Sequence, residues 1–133
     1  MNDRYLFRVW DKRQNEYIEA PNPMPLLQAN GLLAYFTNNP EAMDFYVVEF
    51  CIGLKDKTEK LIFENDIVDI TVHANGFSQE HLIGIIATVK YSIQKAKFYL
   101  LDIKTKNEWE FYDIMSCEVI GNIHQDSHLL GGK

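Results

Sequence analysis

The sequence predicts a mainly β fold, with an N-terminal β-hairpin and strand region carrying short helical turns, packed with a small C-terminal barrel of SH3-like or OB-like type. Three observations carry that reading. Apolar residues alternate with polar ones over short stretches instead of recurring at helical spacing. β-Branched and aromatic residues crowd those stretches. Polar turns separate them at intervals typical of small β domains. With 133 residues, of which 47% are hydrophobic, the chain suits one continuous domain or two small modules sharing a core. The expected division is a β region over residues 1–60, a barrel over 61–125 and a tail over 126–133.

In order along the chain, residues 4–10 alternate, with Tyr5, Phe7 and Val9 opposite Leu6, Arg8 and Trp10, which is a strand pattern. A polar turn over 11–16 and the apolar Tyr17-Ile18 complete a hairpin. Trp10, leaving the strand, is expected to close a core with its indole. Pro21, Pro23 and Pro25 make a loop, because proline cannot donate to a ladder. Residues 26–36 admit both a short helix and a hairpin, since Ala29-Asn30-Gly31 interrupts an apolar run. Asn39-Pro40-Glu41 has the residue order of a helix start, and one turn through Met43 follows from it. Residues 45–52 then read as a central strand.

The middle stretch, residues 53–68, places a polar turn between apolar ends and should form a hairpin that launches the next strands. Beyond it Val68, Ile70 and Val72 face one side, and a polar loop separates them from a second alternating run over 83–91. Further strands are expected over 98–103, 108–112 and 118–123. Five short strands at this spacing suit a small barrel, and their number does not choose between the two barrel types.

Phe7-Arg8-Val9-Trp10-Asp11 near the start, Gly53-Leu54-Lys55-Asp56-Lys57 with Ile62-Phe63-Glu64-Asn65-Asp66-Ile67-Val68 in the middle, and Glu118-Val119-Ile120-Gly121-Asn122-Ile123-His124 near the end resemble the YopX family. The resemblance implies a small, mainly β protein encoded by bacteriophages and prophages, chiefly of Gram-positive bacteria. It brings no catalytic residue to carry over. Three departures from the family pattern stand out. Ile52-Gly53 replaces Thr-Gly, and Thr58-Glu59-Lys60 replaces Asn-Gly-Lys, which predicts a longer or differently shaped loop. Glu64-Asn65-Asp66 replaces Glu-Gly-Asp, and asparagine is the residue best able to keep a left-handed turn there. Gly53, Asn65 and Asp66 are therefore expected to serve structural turns.

Chemistry-bearing residues are few. Asp56, Glu64, Asp66 and Asp69 are hard oxygen ligands, but their spacing matches no calcium loop. Turn chemistry accounts for Asp56, and Asp66 is placed to cap backbone N–H groups where a strand begins. His124 and His128 stand four apart before a short tail expected to fray, and a two-histidine metal site needs a helix and further ligands. Cys51 and Cys117 make no metal quartet and read as small buried apolar side chains. No catalytic residue, metal or cofactor is assigned.

The net charge of −6 is spread over the chain, with seven Lys/Arg against nine Asp/Glu in residues 1–60 and six against ten in 61–133. Phosphate neutralisation drives nonspecific nucleic-acid affinity, so this balance disfavours a nucleic-acid partner. No apolar run is long enough to span a membrane, the N-terminus lacks a secretory cleavage pattern, and a cytoplasmic protein of a bacterial host cell is expected. The expected function is protein binding, to a host or phage protein. A single-stranded nucleic-acid module and an enzyme, such as a hydrolase, with no local motif are the alternatives. Lys97, Tyr99 and Tyr112 on the barrel, and Lys55, Asp56 and Lys57 in the central hairpin, form the candidate binding surface. Open strand edges and many aromatics also suit a homo-oligomer.

Overall fold

In the computed structural model of the chain, the described residues are 7–18, 45–73 and 81–131. The expectations for residues 19–44, including the helix start at Asn39-Pro40-Glu41, lie outside them. Strands dominate, in two antiparallel sheets, and no helix among the described residues reaches seven residues. Two compact units divide the chain between Glu49 and Phe50.

The first unit contains β1 (Phe7–Asp11), β2 (Glu16–Tyr17) and the start of β3 (Tyr46–Lys55). Trp10 pairs with Tyr17 and Asp11 with Glu16, in the strand order β2-β1-β3. The Lys12 N–H donates to the Phe45 carbonyl at 2.8 Å. Val9 and Tyr46 are buried, with Phe7, Ile18 and Val48 against them. Trp10 is buried as expected, its ring edge-on to Tyr17 at 4.9 Å between centroids. The alternation did not reveal Glu49, whose side chain is fully buried in this unit. Its carboxylate accepts from Arg8 Nε at 2.8 Å and from the Tyr17 hydroxyl at 2.9 Å, which supplies the counter-charge that a buried carboxylate requires.

The second unit holds the remainder of β3 with β4 (Leu61–Phe63), then β5 (Asp66–His73), β6 (His81–Ser92), β7 (Lys97–Asp102), β8 (Glu108–Trp109) and β9 (Ile114–Asn122). The last five strands form a curled half-barrel sheet in the order β8-β7-β6-β5-β9, consistent with the SH3-like or OB-like expectation. Register explains the core. Val68 opposite Ala87 and Val119, Ile70 opposite Ile85 and Cys117, and Val89 opposite Leu100 stack their side chains on one face. With Val72 and Ile62 they make one buried cluster, onto which Phe98, Trp109 and Phe111 pack. Each fully buried aliphatic side chain there contributes roughly 1.5–3 kcal/mol relative to exposure.

Several strand boundaries differ from the sequence reading, β3 running on to Lys55 for one, and two such shifts fall near the end of the chain. The strand expected over 108–112 ends at Trp109, and Phe111–Asp113 forms a 3-10 turn instead. The last strand begins at Ile114, four residues earlier than expected, because β5 supplies pairing partners that far: Thr71 faces Ser116 and Val72 faces Ile114. Pairing to a distant strand, rather than local alternation, sets that boundary. The tail holds a further 3-10 turn, Ser127–Leu130, closed by Gly131 in the left-handed region.

Candidate functional site

The central hairpin is the best-specified part of the candidate surface. Gly53 lies within β3, not in a turn, and its φ of 90° coincides with a register shift between Cys51 and Lys55 opposite β4. It is a bulge glycine, serving a backbone demand other than the expected turn. Asn65 does occupy the left-handed region, at φ 70°. Its N–H donates to the Val89 carbonyl and its carbonyl accepts from Ile123, so the β4–β5 turn is tied to β6 and to the residue after β9. Asp66 is buried and accepts the Phe63 N–H at 2.8 Å, the capping role expected of it.

Glu59 takes φ 72° in the loop before β4. A non-glycine residue thus holds a left-handed conformation in this loop.

Asp56 is no surface residue. It is 5% exposed, and the structure removes it from the binding set in which Lys55 and Lys57 remain exposed. Its Oδ1 accepts from the Thr58 N–H, the Thr58 hydroxyl and the Lys60 N–H at 2.8 to 2.9 Å, and its Oδ2 accepts from the Val119 N–H at 2.8 Å. With the Lys57 N–H donating to the Cys117 carbonyl at 2.9 Å, this latches the hairpin turn to β9. Burial pushes the carboxyl upward, but the hydrogen bonds from Val119, Lys60 and Thr58 outweigh it and lower the pKa to about 2. The same device recurs. Asp11 accepts from the backbone of Arg13 and Gln14, Asp102 from Lys104 and Thr105, and Asn122 from His124 and Gln125, each buried at the end of a strand. In the sequence its signal is an Asp or Asn that ends an alternating run and precedes polar residues.

The barrel residues make a second group. On β7, Leu100 and Phe98 turn toward the core, which leaves Lys97 and Tyr99 on the opposite face. Lys97 pairs with Glu110, and that hydrogen bond raises the ammonium above its usual range, with Tyr112 and Glu108 adding to the effect. Tyr112, in the 3-10 turn, is 84% exposed. Lys97 and Tyr112 thus come together around Glu110, and Tyr99 lies two residues further along the strand. Lys57 instead reaches Glu118 on β9, at 3.6 Å. Lys57 therefore pairs with a residue of β9, and Lys97 with a residue that follows β8.

The cysteines and the candidate metal ligands can be placed among the described residues. Both cysteines are buried and free, and burial, reinforced by Asp56, Asp66 and Asp69, pushes the Cys117 thiol up to about 12, the wrong direction for a nucleophile. Among the described residues no three His, Cys, Asp or Glu side chains converge as metal ligands. The buried Trp109 indole N–H has no acceptor among the described residues, and sequence reasoning had no signal for it. No helix among them is long and apolar enough to cross a membrane.

Comparison with known proteins adds a family and a fold. The family model described as YopX protein matches residues 6–131. The crystal structure of protein EF1440 from Enterococcus faecalis is similar to this chain at a TM-score of 0.55 and 21% identity, covering 93% of this chain and 96% of that one. At that identity the likeness concerns the fold alone. No curated protein matches the chain.

Proposed function

We propose that this chain, which belongs to the YopX family, acts by binding another protein of host or phage, as an accessory factor in the cytoplasm of a bacterial host. The observation that carries the reading is Tyr112, a large aromatic left 84% exposed beside the Lys97–Glu110 pair. Tyrosine brings contact area with few rotatable bonds, and an ion pair at its edge supplies directional contacts, the mixture from which protein interfaces draw their energy. The acidic net charge supports a protein over a nucleic acid as the occupant.

The test is affinity recovery of the tagged chain from host cells during phage growth, in parallel with Tyr112→Ala and Lys97→Glu. A stoichiometric protein partner retained by the native chain and lost with both variants supports the proposal. Recovery of nuclease-sensitive DNA or RNA without a protein partner overturns it, and so does an unchanged partner set in both variants.

A further inference from the structure

We propose that Arg13 is a recognition residue that takes one carboxylate of a partner protein, while the ring of Phe45 receives an apolar side chain next to that carboxylate. Arg13 sits in the β1–β2 turn with its side chain 52% exposed, and Phe45 is itself 41% exposed. The guanidinium carbon lies 4.7 Å from the Phe45 ring centroid and 5.4 Å from that of Tyr46. One Nη2 hydrogen is donated to the Tyr46 hydroxyl. Nε stands 3.8 Å from Asp11 Oδ1, close enough for charge attraction but too far for a hydrogen bond. That oxygen already accepts from the backbone N–H groups of Arg13 and Gln14.

The result is a guanidinium whose plane is set before any ligand arrives, with N–H donors left over. A free arginine loses much of its rotamer freedom on binding, whereas this one has lost it on folding. A guanidinium fork matches a carboxylate in two parallel hydrogen bonds. Asp11 nearby, Glu16 across the hairpin and the net charge of −6 favour a monoanion over a phosphate dianion. A residue that only stapled the hairpin to Tyr46 would use the rings and the phenol, and would show no selectivity among anions.

The test uses the full chain labelled with ¹⁵N and follows the Arg13 Nε–H signal by NMR at constant ionic strength. The probes are sodium acetate, N-acetyl-Asp-Leu-amide and sodium phosphate, with sodium chloride as reference. Expected are a saturable shift with acetate beyond that in chloride, and a dissociation constant about tenfold lower for the Asp-Leu amide from apolar contact with Phe45. Phe45→Ala should abolish the tenfold advantage while an unchanged ¹⁵N spectrum away from the turn shows the fold retained. Absence of an acetate-specific shift, equal affinity for acetate and the Asp-Leu amide, or tighter binding of phosphate than of acetate overturns the proposal. The readout sits at Arg13 and leaves Lys97 and Tyr112 untouched, so this inference and the Tyr112 surface fail separately.

Discussion

Replacing Asp56 with asparagine should destabilise the fold in a strongly pH-dependent way. The carboxylate holds four hydrogen bonds, three at one oxygen and one, from Val119, at the other. Asparagine can keep its carbonyl oxygen among the three donors, but then its amide NH₂ meets the Val119 N–H, donor against donor. The sign of the pH effect follows from the folded pKa of about 2, below the ordinary value of 3.8. A lowered carboxyl pKa contributes stability that is complete above the unfolded value and is lost as pH falls through the folded one. At 1.36 kcal/mol per unit, ionisation of Asp56 is worth about 2 kcal/mol at neutral pH. Urea denaturation of the native chain and Asp56→Asn from pH 7 to pH 2 measures it directly. The difference between them should hold steady from pH 7 to about 5, then shrink by about 2 kcal/mol as the native carboxyl protonates. A difference independent of pH over that range refutes the latch as an ionised acceptor.

Glu59→Gly should stabilise the chain by about 0.5–1 kcal/mol in the same assay, because the left-handed conformation at φ 72° suits glycine and strains other residues. Glu49→Ala should cost about 3 kcal/mol by leaving the Arg8 guanidinium and the Tyr17 hydroxyl without this buried acceptor, measured as a lower urea midpoint. Gly121→Ala should cost about 1–2 kcal/mol, since a Cβ there would lie 2.6 Å from Asp126 Oδ2 and displace the carboxylate that accepts the Asn122 N–H. Tyr112→Ala should leave the thermal midpoint within about 1 °C, as expected of an exposed side chain outside the core.

Much of the barrel was legible because a strand buried on one face writes its pattern at period two. Val68, Ile70 and Val72 stood out for that reason, and all three are fully buried. Asn65 was legible too, since asparagine tolerates a left-handed φ better than most non-glycine residues, although Glu59, Ala96 and Lys106 adopt one here as well. The start of β9 was not, because pairing with β5 determines it, and neither was the 3-10 turn that carries Tyr112 away from β8. Among the candidate residues, Asp56 misled. A polar residue between two lysines in a turn reads as exposed, whereas here local donors from Thr58 and Lys60 hold one oxygen and Val119, 63 residues later, caps the other.

By itself the sequence determined the mainly β class, the family, the central hairpin and the residues whose backbone geometry is intrinsic to them. Those properties are written in short-range chemistry: alternation, turn propensity and the tolerance of asparagine for positive φ. Tertiary structure alone decided that Asp56 is a latch, that Glu49 is a buried acceptor, and that Lys57 pairs with Glu118 while Lys97 pairs with Glu110. Each of those depends on residues far apart in the chain meeting in space. Burial and hydrogen-bond partners are properties of that meeting, not of the residue or its neighbours in sequence.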